Sequence, residues 1–295
     1  MTRVLVLGAS GMLGHKLCHV LPEHGLEVLA TVRGRSDRLA RFGHFFRHCF
    51  LVEGVDALDG ERVEQVVREL RPAWIVNGVG IVKQLPEAED RYLSVAVNSL
   101  LPHRLARVAA ERGAHLVHFG TDCVFDGTRG SYRETHPSDA KDLYGRSKYL
   151  GETDEREPAA LTLRSSIVGQ EIGSPRTGLI EWFLAQAGRS VKGFARAVYT
   201  GLTTREMAGL VARLIVGQRR LVGTRQVASA PITKHDLLGL VRDAYGLPVE
   251  IVRDETFVCD RSLVMDRFGT EVGYEPPDWP TMIREMAAER HLYAR

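Results

Sequence analysis

A glycine-rich loop near the start of the chain constrains the fold more than any other feature. It joins an apolar run at Val4–Leu7 to a helix-period segment at Met12–Leu21. Because glycine lets the backbone turn tightly, this order predicts a strand, a sharp turn and a helix. The loop reads Gly8, Ala9, Ser10, Gly11, Met12, Leu13 and Gly14.

Short apolar runs then alternate with helical patterns as far as residue 165. A helix is predicted at Arg62–Leu70, and strands are predicted at Glu27–Val32, Phe50–Val52, Trp74–Val76, His115–Phe119 and Leu161–Leu163. Strands that are apolar on both faces and separated by helices form parallel sheets with right-handed crossovers. The sequence therefore predicts an α/β fold with a doubly wound, Rossmann-type parallel sheet.

The pattern changes after Arg164. A loop rich in Gly, Ser and Pro at Gly169–Thr177 comes first, followed by one predicted strand, Arg225–Ala228, and by helices at Leu179–Ala187, Thr204–Val216 and Lys234–Tyr245. We expect residues 1–165 to form a dinucleotide-binding domain and residues 166–295 a smaller α/β substrate lobe. Some elements of the two are expected to interleave.

Composition narrows the function classes. The net charge is only +2, from 39 basic and 37 acidic residues, which argues against a nucleic-acid surface. The four cysteines form no Cys-x-x-Cys pair, so neither a zinc site nor a disulfide framework is predicted. No apolar run reaches the roughly twenty residues of a membrane span. We expect a cytoplasmic protein with no membrane or nucleic-acid partner and no metal site.

The glycine loop has the features of a phosphate-binding turn. The pyrophosphate of a dinucleotide could approach its backbone N–H groups at the positive end of the following helix. Such loops also serve as plain turns, but the position between a strand and a helix favours binding. The predicted cofactor contacts in the loop are Gly8, Ser10, Gly11, Met12, Leu13 and Gly14.

Arg33 lies at the end of the second predicted strand, where an NAD protein would carry an acidic residue for the ribose hydroxyl. A guanidinium suits the additional phosphate of NADP(H), which we favour over NAD(H). Arg33 and Arg35 could instead be solvated surface arginines. Asp56 is placed to accept a hydrogen bond from the adenine amino group. Further cofactor contacts are predicted at Ala57, Asn77, Gly78 and Val79.

Tyr144 and Lys148 form the predicted reactive pair, because they lie one helical turn apart on one face. A neighbouring ammonium and a positive nicotinamide ring would lower the pKa of the tyrosine towards neutrality. Thr121, at the end of the fifth strand, could hold a substrate carbonyl against Tyr144. Taken alone, Tyr-x-x-x-Lys is more often an exposed helix pair, and a threonine at that place can be a helix cap.

Two motifs resemble the extended short-chain dehydrogenase/reductases, and in particular their dTDP-4-dehydrorhamnose reductase branch. The strand end reads Thr-Asp-Cys-Val-Phe-Asp-Gly over residues 121–127, and the helix reads Tyr-Gly-Arg-Ser-Lys-Tyr-Leu-Gly-Glu over residues 144–152. The resemblance implies a catalytic triad of Thr121, Tyr144 and Lys148 on a Rossmann fold. It also implies that Asn98 supports the lysine through water.

The resemblance also separates reaction types. Related 4,6-dehydratases carry glutamate directly after Thr-Asp, whereas this chain has Cys123, so dehydration is disfavoured. The 4-epimerases usually have Ser-Ser or Ser-Ala at the strand end, so Thr121 and Asp122 fit the reductases better. Cys123 departs from the tyrosine usual in the rhamnose enzyme, and the loop at 77–83 departs too, which leaves the exact substrate open.

Substrate contacts are expected in the lobe and beside the triad. A cation could neutralise a substrate phosphate, and Trp182 could stack on a base or a sugar. Trp182 could equally belong to the core, and Arg261 could form a simple ion pair with Asp260. The candidates are Lys83, Asp122, Cys123, Trp182, Lys192, Tyr199, Thr200 and Arg261.

These features lead to one functional hypothesis and two alternatives. The hypothesis is an NADPH-dependent reductase of a 4-keto-6-deoxy nucleotide sugar, with a nucleotide-diphosphate sugar as its partner. The first alternative is a nucleotide-sugar epimerase on the same scaffold. The second is a non-catalytic, NADP-binding regulatory subunit, as some relatives of this branch are. A homodimer is the default assembly.

Overall fold

The computed structural model describes residues 1–294 and contains a seven-stranded sheet, a three-stranded lobe sheet, a two-stranded sheet and the helices that pack against them. The strands are β1 (Arg3–Leu7), β2 (Glu27–Thr31), β3 (Cys49–Val52), β4 (Trp74–Asn77), β5 (His115–Phe119), β6 (Ala160–Arg164), β7 (Ile167–Val168), β8 (Ser190–Tyr199), β9 (Leu202–Thr203), β10 (Gly223–Gln226), β11 (Ile232–Thr233) and β12 (Glu250–Asp260). The helices are α1 (Gly14–Glu23), α2 (Gly60–Leu70), α3 (Arg91–Ser94), α4 (Leu101–Arg112), α5 (Leu143–Leu150), α6 (Leu179–Leu184), α7 (Thr204–Val216), α8 (Lys234–Tyr245), α9 (Phe268–Val272) and α10 (Trp279–Ala288).

The large sheet has seven parallel strands in the order β3-β2-β1-β4-β5-β6-β10. Successive residues of β1 alternate between its faces: Val4 and Val6 pack with α1 and α7, while Leu5 and Leu7 pack with α2 and α4. Each fully buried side chain of this kind contributes roughly 1.5–3 kcal/mol. Helices thus cover both faces, and the predicted doubly wound α/β fold is confirmed.

Among the predicted strands, β3 is the one that is not buried, and its position at the edge of the sheet explains this. The side chain of Phe50 in β3 is 63% exposed, although the sequence analysis grouped this run with the buried strands. β3 pairs only with β2 in the sheet, so an apolar residue there lacks a neighbour on its outer side.

The strand predicted at Arg225–Ala228 is β10, and it belongs to the large sheet rather than to the lobe. It pairs in parallel with β6, with Gly223 opposite Leu161 and Gln226 opposite Arg164. A segment beyond residue 165 therefore completes the first sheet. The division into residues 1–165 and 166–295 stays a prediction, with β10 as an interleaved element.

The lobe contains a second sheet in the order β11-β8-β12, in which β12 runs parallel and β11 antiparallel to β8. The pairing of β12 shifts register between Asp254 and Val258, so the strand is bulged there. The ends of β8 and β12 and the residue that follows β11 lie beside the carboxyl edge of the large sheet, since Tyr199, Cys259 and Lys234 share a cleft with the residues that follow its strands.

Candidate active site

The carboxyl ends of the parallel strands open into a cleft of about 660 Å³. Leu7 of β1 lies opposite Asn77 of β4, and Asn77 lies opposite His118 of β5, so the loops that follow these strands emerge side by side. The predicted site residues that line the cleft are Ser10, Gly11, Met12, Leu13, Asn77, Gly78, Val79, Lys83, Thr121, Asp122, Cys123, Tyr144, Lys148, Tyr199 and Arg261.

Two glycines, Gly8 and Gly14, determine the conformation of the phosphate loop. Gly8 has a φ of +75°, and a Cβ at Gly14 would lie 2.0 Å from the Gly8 carbonyl oxygen. α1 begins without a side-chain cap and with no acidic residue in its first turn. Ser10–Leu13, which lead into α1, line the cleft, so the positive dipole end of this helix lies at the cleft, an arrangement that fits the pyrophosphate of a dinucleotide.

Arg33 is exposed just beyond the end of β2. The end of β2 lies against the phosphate loop, because Gly8 N donates to Thr31 Oγ1 (3.3 Å) and Ala9 N donates to the Thr31 carbonyl (3.0 Å). Arg35 pairs with Asp37 at 3.1 Å. The predicted adenosine contacts Arg33, Asp56 and Ala57 lie outside the lining of the main cleft.

The side-chain amides of Asn77 and Asn98 are hydrogen-bonded to backbone groups of the protein. Asn77 is buried; its Oδ1 accepts from Val79 N (3.1 Å) and its Nδ2 lies 3.1 Å from Nδ1 of His118. Asn98 lies in a π-helical turn, Val95–Leu100. Its side chain accepts from Ile81 N (3.0 Å) and donates to the Ile81 carbonyl (3.1 Å). Both amides thus fix the loop that follows β4.

The triad candidates meet along one face of α5, with Tyr144 in its first turn and Lys148 in its last. Asp142 caps this helix by accepting from Gly145 N at 2.7 Å. Thr121 accepts from Cys123 N (3.2 Å). Its hydroxyl also interacts with the Tyr144 phenol, and this contact lowers the tyrosine pKa, against the larger effect of burial. Lys148 Nζ donates to the Phe119 carbonyl at 2.6 Å. The three side chains line the same cleft, although these contacts alone leave their catalytic roles a prediction.

The pKa of Tyr144 moves in the opposite direction from the sequence-based expectation. Burial raises it above its usual value, and the nearby carboxylates of Asp122 and Asp142 add to the rise because negative charge disfavours tyrosinate. Burial also lowers the pKa of Lys148 to about 8. The protein's own groups therefore keep Tyr144 as a neutral phenol, which is the proton-donating form.

A buried ion pair lies next to the turn that carries Thr121. Arg164 donates to Glu152 through Nε (2.7 Å) and Nη2 (2.5 Å), and both side chains are 5% exposed. A Cβ at Gly120 would lie 3.0 Å from the Glu152 carboxylate, so the pair packs directly beneath the Thr121 turn. The last residue of the Tyr-to-Glu motif thereby anchors α5 to β6.

The substrate candidates beside the triad already have protein partners. Lys83 pairs with Asp142 at 2.6 Å, which joins the loop after β4 to the cap of α5. Arg261 donates from Nε to the Phe125 carbonyl (2.8 Å), and its Nη1 lies 3.8 Å from Cys123 Sγ. Burial raises the pKa of Cys123 to about 12, so its thiol is neutral.

Three lobe candidates lie outside the cleft lining. Lys192 is 71% exposed and pairs with Asp254 at 3.0 Å; it lies on β8 seven residues before Tyr199, which does line the cleft. Trp182 is 42% exposed on α6, and Thr200 is buried with its Oγ1 accepting from Leu263 N (2.9 Å). Lys192 is kept from the cleft by its place near the start of the long strand β8, and Trp182 by its place on α6. Neither place can be read from the residue types.

The structure brings residues to the cleft that the sequence analysis missed. Lys234, Phe257 and Cys259 line it from the lobe. Lys234 was placed in a predicted helix, but its position as the first residue of α8 carried no chemical signal. The other two lie on β12, which was not predicted, so no pattern pointed to them.

Within residues 1–294, no helix is long and apolar enough to cross a membrane. In the same part of the chain, no group of three or more His, Cys, Asp or Glu side chains is arranged to hold a metal ion.

Comparisons with known proteins agree with this geometry. Residues 1–190 match the family model described as the RmlD substrate binding domain. A dTDP-4-dehydrorhamnose reductase of Streptomyces griseus is 36% identical over 151 residues, which cover 51% of this chain and 43% of that protein. The spore coat polysaccharide biosynthesis protein SpsK of Bacillus subtilis is 27% identical over 98% of both chains.

A solved structure extends the likeness over the whole fold. The dTDP-4-dehydrorhamnose reductase of Bacillus anthracis, solved in complex with NADP, superimposes with a TM-score of 0.79 at 20% identity, covering 98% of this chain and 99% of that one. At this identity the likeness concerns the fold. The family match over residues 1–190 establishes that the chain belongs to the RmlD substrate binding domain family of extended short-chain dehydrogenase/reductases.

Proposed function

We propose that the protein is an NADPH-dependent reductase of a 4-keto-6-deoxy nucleotide sugar. The observation that carries the proposal is the meeting of Thr121, Tyr144 and Lys148 in one cleft with the phosphate loop. Relatives named as dTDP-4-dehydrorhamnose reductase and dTDP-4-keto-6-deoxy-D-glucose reductase support the substrate class. Arg33 and a relative's fold solved with NADP support the cofactor.

Thr121, Tyr144 and Lys148 have separate roles in a carbonyl reduction. When bound, NADPH supplies a hydride to the carbonyl carbon. Tyr144, held as a neutral phenol, donates its proton to the carbonyl oxygen. Thr121 orients that oxygen through its hydroxyl. The ammonium of Lys148 then stabilises the tyrosinate that remains, and solvent returns the proton.

A panel of dTDP-, UDP- and GDP-linked 4-ketosugars, followed by NADPH absorbance and product analysis, tests the proposal. We expect one NADPH oxidised for each sugar reduced. Product formation without net NADPH consumption would identify the epimerase alternative instead. Binding of NADPH with no conversion of any ketosugar would favour the regulatory subunit.

The proposal includes a cytoplasmic location and a homodimer as the working assembly. Closed two-fold dimers are the commonest assemblies of soluble enzymes, which is the support for this part. Sedimentation of the purified protein at several concentrations tests it, and a mass of one chain, 32.8 kDa, at all of them would contradict it.

A further inference from the structure

The turn Glu289–Tyr293, near the end of the chain, packs against the first turn of α1. Tyr293 is 5% exposed, and its hydroxyl lies 2.8 Å from Nε2 of His15, the second residue of α1. Nδ1 of the same ring lies 2.9 Å from the carbonyl oxygen of Gly11 in the phosphate loop. Two hydrogen bonds in series thus join the phosphate loop to a residue at the other end of the sequence.

The directions of these two hydrogen bonds follow from the chemistry of the groups. His15 is fully buried, and burial, together with the charge of Lys16, lowers its pKa to about 3, so the ring is neutral with a single N–H. Because a carbonyl oxygen can only accept, this N–H is at Nδ1 and donates to Gly11. Nε2 then accepts from the Tyr293 hydroxyl, whose pKa is raised by burial. Tyr293 therefore stabilises the tautomer in which His15 holds the Gly11 carbonyl.

The orientation of the Gly11 carbonyl sets the direction of an N–H group beside the cleft. The peptide bond between Gly11 and Met12 is planar and trans, so the carbonyl and the Met12 N–H point in opposite directions. The carbonyl points into α1, because it also accepts from the backbone N of His15 at 3.1 Å. The Met12 N–H therefore points out of the helix N-terminus, and Met12 lines the cleft. N–H groups in this position bind phosphate oxygens.

A buried ion pair holds the turn that carries Tyr293 against α1. Lys16, whose side chain is 1% exposed, donates from Nζ to Glu289 at 2.7 Å. Glu289 also accepts from Arg205 of α7 at 2.5 Å. The Lys16 ammonium lies 5.2 Å from the ring centroids of both Phe45 and Tyr293. Separating a buried ammonium from its carboxylate is costly, so this pair keeps the Tyr293 hydroxyl within reach of α1.

We propose that Tyr293 and His15 are positioning residues for cofactor binding, which act by fixing the peptide unit between Gly11 and Met12. Neither side chain lines the cleft, so both act through the phosphate loop. The naming of the ligand as NADPH rests on the proposed function. The group affected is the pyrophosphate, which NADPH and NADH share, so both cofactors should depend on Tyr293 equally. This distinguishes the pair from Arg33, whose proposed contact is the 2′-phosphate.

Fluorescence titration with NADPH and with NADH, in the absence of a sugar, tests the proposal. Tyr293→Phe removes only the hydroxyl and should weaken both cofactors about 5-fold, because the His15 donor loses its fixed orientation. Tyr274→Phe is the matched control, since this tyrosine is also 5% exposed, donates to Glu206 at 3.0 Å and lies away from the cleft lining. The control should lower the urea midpoint of unfolding at least as much as Tyr293→Phe and leave both affinities unchanged.

Variants of His15 test the route from the hydroxyl to the loop. His15→Leu should weaken both cofactors about 10-fold, since the donor to the Gly11 carbonyl is lost. Adding Tyr293→Phe to His15→Leu should cause no further loss of affinity, because the hydroxyl acts only through the imidazole. His15→Asn, whose side-chain N–H takes the place of the Nδ1 donor, should recover most of the affinity without recovering the stability.

Four results would overturn the inference. They are wild-type cofactor affinity in Tyr293→Phe, an equal loss of affinity in Tyr274→Phe, additive losses in the double variant, and a loss confined to NADPH, which would assign the effect to the 2′-phosphate. The assay needs no turnover. Tyr293-dependent binding of both cofactors in a protein that reduces no ketosugar would therefore contradict the proposed function and leave this inference standing.

Discussion

At the scale of single residues, burial decides what the reactive groups can do. Residue identities and spacing were enough to predict that Tyr144 and Lys148 would lie together, and they line one cleft. They could not predict the direction of the tyrosine pKa, because desolvation depends on the whole packed environment. A raised tyrosine pKa favours the reductive direction, in which Tyr144 gives up a proton.

The lowered pKa of Lys148 predicts an alkaline limit to activity. Below pH 8 its ammonium is charged and stabilises the developing tyrosinate; above pH 8, the charge is lost as the pH passes its pKa of about 8. Glu152, just after the end of α5, favours the charged form of Lys148, while buried His118 faces it from β5. The kcat profile should therefore fall near pH 8. In Lys148→Arg, which stays charged, the fall should move to higher pH even if kcat is lower; an unmoved limb would contradict this role.

Arg33 predicts the choice of cofactor. Arg33→Ala should raise the KM for NADPH about 10-fold or more, because charge-assisted bonds to the 2′-phosphate are lost, and should leave the KM for NADH nearly unchanged. Steady-state kinetics with both cofactors measures the ratio. Arg156→Ala, a 91% exposed arginine on another loop, serves as the control. Equal effects on both cofactors would assign Arg33 to the surface.

At the scale of elements, predictability followed the hydrophobic pattern. The helices α7 and α8 were predicted with the bounds that they have, since caps and apolar periodicity agree there. β12 was missed because an edge strand with mostly exposed and often charged residues carries no apolar run. The helical stretch at 91–112 was also missed; its π-turn and Pro102 interrupt the regular period.

The approach of α1 to β1 predicts opposite effects for two glycines. Gly14→Ala should lower stability and NADPH affinity, because its Cβ would lie 2.0 Å from the Gly8 carbonyl oxygen. Gly209→Ala, inside α7 with nothing within 4 Å of the added Cβ, should raise the free energy of unfolding by about 0.5–1 kcal/mol. Urea unfolding with and without NADPH measures both. Equal stability changes at the two positions would argue against the close approach.

At the scale of the whole molecule, the site depends on long-range pairing. The large sheet and its phosphate loop were predictable because each βα unit is local in sequence. In the lobe half, Tyr199 and Arg261 were named by residue type and line the cleft, but Lys234 was missed. The three meet only through the register of β8 with β11 and β12, which the sequence pattern does not encode. Lys192 and Trp182 were plausible by residue type, but the fold places them outside the cleft lining.

The central claim is that Tyr144 is the proton donor of a reductase that works beside a bound dinucleotide. The most direct test measures Tyr144→Phe, both for its NADPH dissociation constant and for turnover of the best ketosugar substrate. We predict a dissociation constant within about 2-fold of wild type and a kcat reduced at least roughly 100-fold, the usual contribution of a positioned general acid. Turnover at the wild-type rate in this variant would contradict the account.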